Sequence, residues 1–205
     1  MRQEILDHNI IYEFGYTLVL DTLADIRKEA HKQRPKCDVP LYRFARDRPH
    51  WWFLNAEDTG YPINGHLRLK VEKNDPQMYG PEGHWDAKDA PVIYIRAAYR
   101  TTNKLAEIYW ETADRPGFPP EQKIRFPIES DGTFRTYEVD LSRSSLYQGK
   151  IRRLRFDPVE TGGVGEFVDV ESIAFQKNNA PAGTEEKGRV EGVVPELKRK
   201  DSVGK

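Results

Sequence analysis

The spacing of apolar residues along the chain changes near residue 40. Between about residues 5 and 32, apolar positions recur every three or four residues, as at Leu20, Leu23 and Ile26, which predicts an amphipathic helix. Such a helix cannot bury its apolar face alone, so it needs the following domain, a second copy or an upstream domain to pack against. The segment KQRPKCDVP, residues 32–40, contains two prolines and predicts a linker.

Beyond this linker, apolar and polar residues alternate in short runs, the pattern of half-buried β-strands. The segments between the runs are rich in turn-forming residues such as Gly, Pro, Asp and Ser. Because no helix separates the runs, parallel strand pairing has no crossover to use. The pattern therefore predicts a mainly β fold, an antiparallel β-sandwich or jelly roll. Eight runs are predicted to be strands, at residues 41–45, 65–72, 91–100, 105–112, 123–128, 134–141, 150–156 and 166–175.

The run at 150–156 has two distinct faces. Leu154 and Phe156 share one face and are predicted to lie in the core, while Arg153 and Arg155 share the other. The arginines either lie on a solvated face or pair with carboxylates of a neighbouring strand, such as Glu138. In both cases the strands serve as scaffold, and chemistry is expected at their ends and in the loops.

After Phe175 the composition shifts to dense charge of both signs with scattered Gly and Pro. Such a segment has too little apolar surface to offset the entropy of ordering it, which predicts a disordered tail. The sequence thus predicts three parts. These are a helical N-terminal segment at 1–35, a jelly-roll β-sandwich at 36–177 and a disordered tail at 178–205.

Charge balance and cysteine content argue against several classes of function. The chain has 205 residues with 32 Lys and Arg against 33 Asp and Glu, and its formal net charge of −1 provides no field to attract nucleic acid or an anionic membrane. No run reaches the roughly 18 apolar residues of a membrane span. Cys37 is the only cysteine, so neither an intramolecular disulfide nor a cysteine zinc site is expected.

The N-terminus carries acidic residues where a secretory signal needs a basic region followed by an apolar core. The chain as written is therefore expected to be cytoplasmic, or to be extracellular or periplasmic as a piece of a longer secreted enzyme.

A series of short motifs resembles the carbohydrate-binding-module-like jelly-roll domain of the galactose-binding-domain-like superfamily, which is often appended to polysaccharide-degrading enzymes. The resemblance covers residues 41–177 and rests on the order and spacing of motifs that are individually weak. They are Asn74-Asp75-Pro76, Asp86-Ala87, Ile95-Arg96, Tyr109-Trp110, Asp131-Gly132, Tyr137, Asp140-Leu141, Leu154-Arg155-Phe156-Asp157-Pro158 and Val168-Asp169-Val170. The N-terminal helical segment lies outside the resemblance. A fold of this kind hosts many functions, so the resemblance is more specific for fold than for activity.

Sugar binding needs a flat aromatic face for the C–H side of a pyranose and polar groups for its hydroxyls. Trp85, in a predicted loop, and Trp110 are the expected platforms, although both rings are open to the alternative of lying in the core. Since adjacent residues of a strand point to opposite sides, at most one of Trp51 and Trp52 is expected to be exposed.

The resemblance also implies polar ligand-binding residues near the ends of the central strands, at Asn74, Asp75, Glu111 and Arg155. The alternative is structural: residues 74–76 form an Asx-type turn, and Arg155 and Glu111 form a salt bridge between neighbouring strands.

Domains of this superfamily frequently hold a structural calcium ion, and carboxylates are suitable oxygen ligands for it. The carboxylates considered for such a site are Glu57, Asp58, Asp169 and Glu171. No EF-hand-like spacing supports them, and ordinary surface acids are the alternative.

Motifs of catalysis are scarce. The five histidines form no paired metal-ligand spacing, and no G-x-S-x-G elbow occurs. The leading hypothesis is a non-catalytic module that binds a polysaccharide or oligosaccharide. The alternatives are an accessory domain that packs on an upstream catalytic domain or self-associates through the N-terminal helix, and a small jelly-roll lyase or hydrolase.

Overall fold

The computed structural model describes residues 39–175 and, before them, Leu18, residues 20–23 and 25–26, and Glu29. The chain separates into two units, Met1–Pro35 and Lys36–Lys205. The predicted N-terminal helix is not confirmed, since most of it lies outside the described residues and the described ones form no helix of seven residues or more. The predicted tail at 178–205 also lies outside them. Over the described stretches, no helix has the length and hydropathy required to cross a membrane.

Residues 41–174 form twelve strands. They are β1 (Leu41–Arg43), β2 (Trp52–Leu54), β3 (Glu57–Asp58), β4 (Leu67–Lys70), β5 (Gln77–Tyr79), β6 (Trp85–Asp86), β7 (Val92–Arg100), β8 (Leu105–Thr112), β9 (Lys123–Pro127), β10 (Arg135–Asp140), β11 (Lys150–Asp157) and β12 (Phe167–Ala174). Two short 3₁₀ helices, Ala87–Asp89 and Leu141–Arg143, lie between strands. All eight predicted strands are confirmed, and β2, β3, β5 and β6 are additional.

The strands form two six-stranded antiparallel sheets. In the first, the order is β10-β7-β12-β4-β3, with β1 also paired to β12. In the second, the order is β2-β5-β11-β8-β9, with β6 also paired to β11. The predicted mainly β, antiparallel two-sheet architecture is confirmed.

Alternation along the strands fills the core between the sheets. On β11, Leu154 and Phe156 are buried, as predicted, whereas Arg153 and Arg155 lie on the outer face. The suggested pairing of these arginines with Glu138 is wrong, because β10 belongs to the first sheet and β11 to the second. The outer face of the second sheet consequently carries polar and aromatic side chains held by a rigid apolar layer beneath.

Candidate functional site

One row of side chains crosses the outer face of the second sheet. Antiparallel register places Trp52 opposite Tyr79, Tyr79 opposite Arg155, Arg155 opposite Tyr109, and Tyr109 opposite Lys123. Directly opposed residues of neighbouring strands lie close enough for their side chains to interact. These five residues, here named the central row, run from an aromatic end on β2 and β5 to a charged end on β8 and β9.

The aromatic end is built from three rings. Trp52 and Tyr79 stack face to face, with ring centroids 4.0 Å apart and an interplanar angle of 3°. Phe118, in the loop between β8 and β9, meets Tyr79 edge to face at 5.5 Å. Tyr79 covers one side of the indole, and Trp52 still remains 49% exposed. The Trp52 ring is therefore exposed to solvent at the edge of the sheet, and stacking on Tyr79 fixes its orientation.

Arg155 occupies the centre of the row between two tyrosines. Its guanidinium carbon lies 4.3 Å from the centroid of Tyr109 and 5.7 Å from that of Tyr79. The guanidinium donates two hydrogen bonds to Asp157, at 2.8 and 2.5 Å. Burial opposes the charge on Arg155, but the hydrogen bonds to Asp157 and the electrostatic attraction of Asp157, Tyr79 and Tyr109 together outweigh it, so the pKa of Arg155 is raised. The bidentate pair fixes the orientation of the guanidinium plane.

Asp157 is a buried carboxylate of this face, with a side chain 5% exposed. Burial raises its pKa to about 6, against the opposing influence of Arg155. Across the strand pair lies Glu107, which accepts hydrogen bonds from Lys123 at 2.9 Å and from Arg125 and the Tyr109 hydroxyl. Burial opposes ionisation of Glu107, but these donors outweigh it and lower its pKa.

Arg153 and Glu111 form a second opposed pair on β11 and β8. The Arg153 guanidinium donates to Oε2 of Glu111 at 3.0 and 2.9 Å and lies 5.6 Å from the Phe118 ring. Arg155 and Glu111 do form salt bridges, but the alternative that they pair with each other is wrong. Glu111 pairs with Arg153, and Arg155 pairs with Asp157.

The turn at residues 74–76 borders the aromatic end. Gln77 donates to the carboxylate of Asp75 at 2.6 Å and accepts from the Tyr79 hydroxyl, while Asp75 lies 3.6 Å from Arg155. Asp75 has a φ of 55°, a left-handed conformation that Asp tolerates better than most residues. Asn74 instead accepts a hydrogen bond from the backbone of Gly162 at 3.3 Å. Asp75 is thus part of the face, and Asn74 joins two loops.

The expectation that Trp85 and Trp110 are sugar platforms is corrected by their burial, at 1% and 0% exposure. Trp110 follows Tyr109 on β8, so alternation turns its ring inward, where its Nε1 donates to the carbonyl of Leu146 at 3.2 Å. Trp85 is not in a loop but on β6, paired to β11, and its ring packs against Phe175. A ring without an exposed face cannot stack on a sugar.

The structure therefore brings Asp75, Glu111 and Arg155 to one face, where Trp52, Tyr79 and Phe118 take the place of the two expected tryptophans. Ligand binding by Asp75, Glu111 and Arg155 stays a prediction. The adjacent pair Trp51 and Trp52 indicated in the sequence that one of the two rings points away from the core. Trp51 is buried, so Trp52 must point outward, and the expectation that at most one of them is exposed agrees with their burial. β2, which begins at Trp52 and has three residues, is too short to show periodicity.

The four carboxylates considered for calcium do not fit a calcium site. Asp58 is paired with Arg48, Asp169 with Arg68 at 2.7 Å through both oxygens, Glu171 with Arg96 at 2.7 Å, and Glu57 with Lys73 at 3.4 Å. Within residues 39–175 and the few described positions before them, no cluster of three or more His, Cys, Asp or Glu side chains is suited to a metal ion. Calcium binding by the protein itself stays a prediction.

No protein-family model matches the sequence, and no curated protein matches it. Among solved structures, the chain is similar to a family 6 carbohydrate-binding module from Clostridium stercorarium in complex with cellobiose, at 16% identity, covering 68% of this chain and 94% of that one, TM-score 0.41. It is also similar to a low-affinity xylan-binding module of Roseburia intestinalis, at 10% identity, 68% and 96% coverage, TM-score 0.45. A β-1,3-glucan-binding family 6 module from Bacillus halodurans has 12% identity, 67% and 96% coverage, TM-score 0.41.

Proposed function

We propose that the outer face of the second sheet binds a polysaccharide or oligosaccharide without catalysing a reaction on it. The observation that carries the proposal is the stack of Trp52 on Tyr79, which leaves about half of the indole exposed. Large exposed aromatic rings at a rigid position are typical of sites that recognise amphipathic ligands, and a pyranose offers an apolar C–H face to such a ring.

Polar groups next to the ring match the other half of a sugar. Arg155 and Asp75 lie beside Tyr79, each already oriented by a hydrogen-bond partner. Groups that are ordered before the ligand arrives lose little conformational freedom on binding, which favours affinity. Sugar hydroxyls can both donate to Asp75 and accept from Arg155.

The charge of the face favours an uncharged glycan. The cations Lys123 and Arg125 are both paired with Glu107, and Arg153 is paired with Glu111. Arg155 is paired with Asp157 and also lies 3.6 Å from Asp75, so the four cations of the face are matched by four carboxylates. An anionic sugar would have to displace these carboxylates from the arginines, with no surplus positive charge to reward it.

The same ion pairs favour binding over hydrolysis. Glycoside hydrolysis requires a proton-donating carboxylic acid and a second carboxylate that both reach the substrate. Glu107 and Asp157 are oriented toward cationic partners, with side chains 12% and 5% exposed. A jelly-roll lyase or hydrolase and an accessory domain docked through the N-terminal helix stay predictions, the latter falling on residues outside the described ones.

The proposal is tested by affinity electrophoresis of the full chain in gels containing hydroxyethyl cellulose, arabinoxylan or laminarin. We expect retardation by at least one polysaccharide, lost in Trp52→Ala. Tyr61→Ala is the matched control, because Tyr61 is also an exposed aromatic residue. Its ring contacts Arg48 and its hydroxyl donates to Asp47, and neither of these residues belongs to the central row. Equal retardation of both variants, or no retardation of the wild type, would reject this face as a glycan site. Because the face is shallow, the expected Kd is micromolar to millimolar.

A further inference from the structure

Phe118 completes the aromatic end from a loop, residues 113–122, rather than from a strand. The loop contains three prolines, Pro116, Pro119 and Pro120, which restrict the chain on both sides of Phe118. Its two ends are tied to the sheet: Ala113 donates to the carbonyl of Lys150 at 2.9 Å, and Gln122 donates to that of Trp110 at 3.0 Å. Prolines stiffen a loop, but they do not determine where its centre lies.

The centre of the loop is attached to the sheet by Glu111. Oε1 of Glu111 accepts a hydrogen bond from the backbone N–H of Gly117 at 3.1 Å. Among the described residues, this is the bond that joins the backbone of residues 116–118 to the sheet. Gly117 has a φ of +85°, which permits the chain to turn so that its N–H reaches the carboxylate.

Glu111 is itself held firmly. Its Oε2 receives both hydrogen bonds from Arg153, Arg152 lies 3.7 Å from its Oε1, and its side chain is 4% exposed. A carboxylate this buried has little surface for a sugar hydroxyl. The residue after Gly117 is Phe118, and its ring lies against both Arg153 and Tyr79.

We propose that Glu111 is a positioning residue, which holds Phe118 against Tyr79 through the N–H of Gly117 and does not touch the ligand. This rests on the proposed function only for its consequence in glycan binding; the positioning itself is a property of the free protein. It is the alternative to the expectation that Glu111 binds the ligand directly.

Amide hydrogen exchange in the ligand-free wild-type chain tests the positioning without any substitution. The amides of Gly117 and Phe118 are neighbours in the same exposed loop, but only Gly117 donates to Glu111. We expect the Gly117 amide to exchange at least about tenfold more slowly than that of Phe118, after correction for intrinsic rates. Equal exchange of the two amides would overturn the proposal.

A double-mutant cycle then tests whether Glu111 acts through Phe118. Glu111→Gln leaves one acceptor oxygen, which cannot serve Gly117 and Arg153 together, and we expect about three- to tenfold weaker glycan retention. In a Phe118→Ala background, the same substitution should change retention by less than about twofold. A full loss in that background would show that Glu111 contacts the glycan and would overturn the proposal.

Glu82→Gln is the control, because Glu82 also pairs with Arg152, at 2.8 Å, but among the described residues no hydrogen bond or ion pair joins it to the loop at 113–122. It should leave both retention and Gly117 exchange unchanged. If the wild type is not retained by hydroxyethyl cellulose, arabinoxylan or laminarin, the proposed function fails, and the exchange of Gly117 in the wild type still decides the role of Glu111. The same exchange experiment decides it if Glu111→Gln does not fold.

Discussion

The buried carboxyl of Asp157 makes the stability of this protein dependent on pH in an unusual direction. Burial raises its pKa from 3.8 to about 6, with Asp75 and Glu107 adding to the rise and Arg155 opposing it. Between these two values the native protein binds more protons than the unfolded chain. The contribution of Asp157 to the free energy of unfolding is therefore fully present below about pH 3.8 and is lost as the pH rises through about 6.

The magnitude follows from the difference between the two pKa values. A difference of about 2.2, at about 1.36 kcal/mol for each pKa unit, corresponds to about 3 kcal/mol over the whole window. Most exposed carboxylates titrate in the lower part of that window. Between pH 5 and 7.5, the same linkage relation gives a decrease of about 1.4 kcal/mol in the free energy of unfolding, caused by the ionisation of Asp157.

Urea unfolding at pH 5.0 and 7.5, followed by tryptophan fluorescence, measures this decrease when wild type and Asp157→Asn are compared. Because the other titrating groups are shared, the difference between the two proteins isolates the carboxyl of Asp157. We expect the unfolding free energy of the wild type, relative to the variant, to decrease by about 1.4 kcal/mol from pH 5.0 to 7.5. A relative free energy that is constant or increases over this range would refute the reasoning, since attraction to Arg155 would then outweigh burial.

Four further outcomes are expected. A glycan that covers the exposed half of Trp52 buries about 120 Å², which at about 25 cal/mol/Å² contributes up to about 3 kcal/mol of binding free energy. Trp52→Ala should therefore weaken glycan binding by about one to two orders of magnitude in calorimetric titration. Raising NaCl from about 50 to 500 mM should change the Kd less than about twofold, because the cations of the face are already paired; a tenfold change would indicate an anionic ligand. EDTA should leave the Tm unchanged, because Asp58 and Asp169 are held by arginines; a decrease of several degrees would reveal a calcium site built from other groups. Trp110→Ala should destabilise the fold by about 3–5 kcal/mol in urea unfolding, as expected for a fully buried ring, and a change below about 1 kcal/mol would contradict its place in the core.

Apart from β1, which has three residues and was predicted, the strands that the sequence predicted are longer than those that it missed. The eight predicted runs include every strand of four residues or more, whereas β2, β3, β5 and β6 have two or three residues. Periodicity needs several alternations to be visible, so strands this short are defined only by their hydrogen bonds to a longer neighbour. Two of the missed strands, β2 and β5, carry the Trp52 and Tyr79 rings.

The site was predicted in part for a related reason. Alternation along the strand placed Arg155 on the face opposite Leu154 and Phe156, where the structure has it, whereas Asp75 and Glu111 were expected only to lie near strand ends. Trp85 was misplaced because its surroundings, rich in Gly and Pro, predicted a loop, whereas pairing with β11 turns the ring into the core. Even for Glu111 the partner could not be known, since Arg153 and Gly117 become its neighbours only when β8 and β11 pair and the loop closes.

By itself, the sequence determined the properties that arise from consecutive residues: which long segments extend as strands, which side chains of β11 face inward, and that the charge of the whole chain is nearly balanced. The tertiary structure decided which strands lie side by side, and hence that Trp52, Tyr79 and Arg155 share one row although Trp52 and Arg155 are far apart in the chain. The physical reason is that alternation is a local consequence of backbone geometry, whereas cross-strand neighbours depend on hydrogen-bond register between distant segments. The aromatic end of the proposed glycan site exists only through that register.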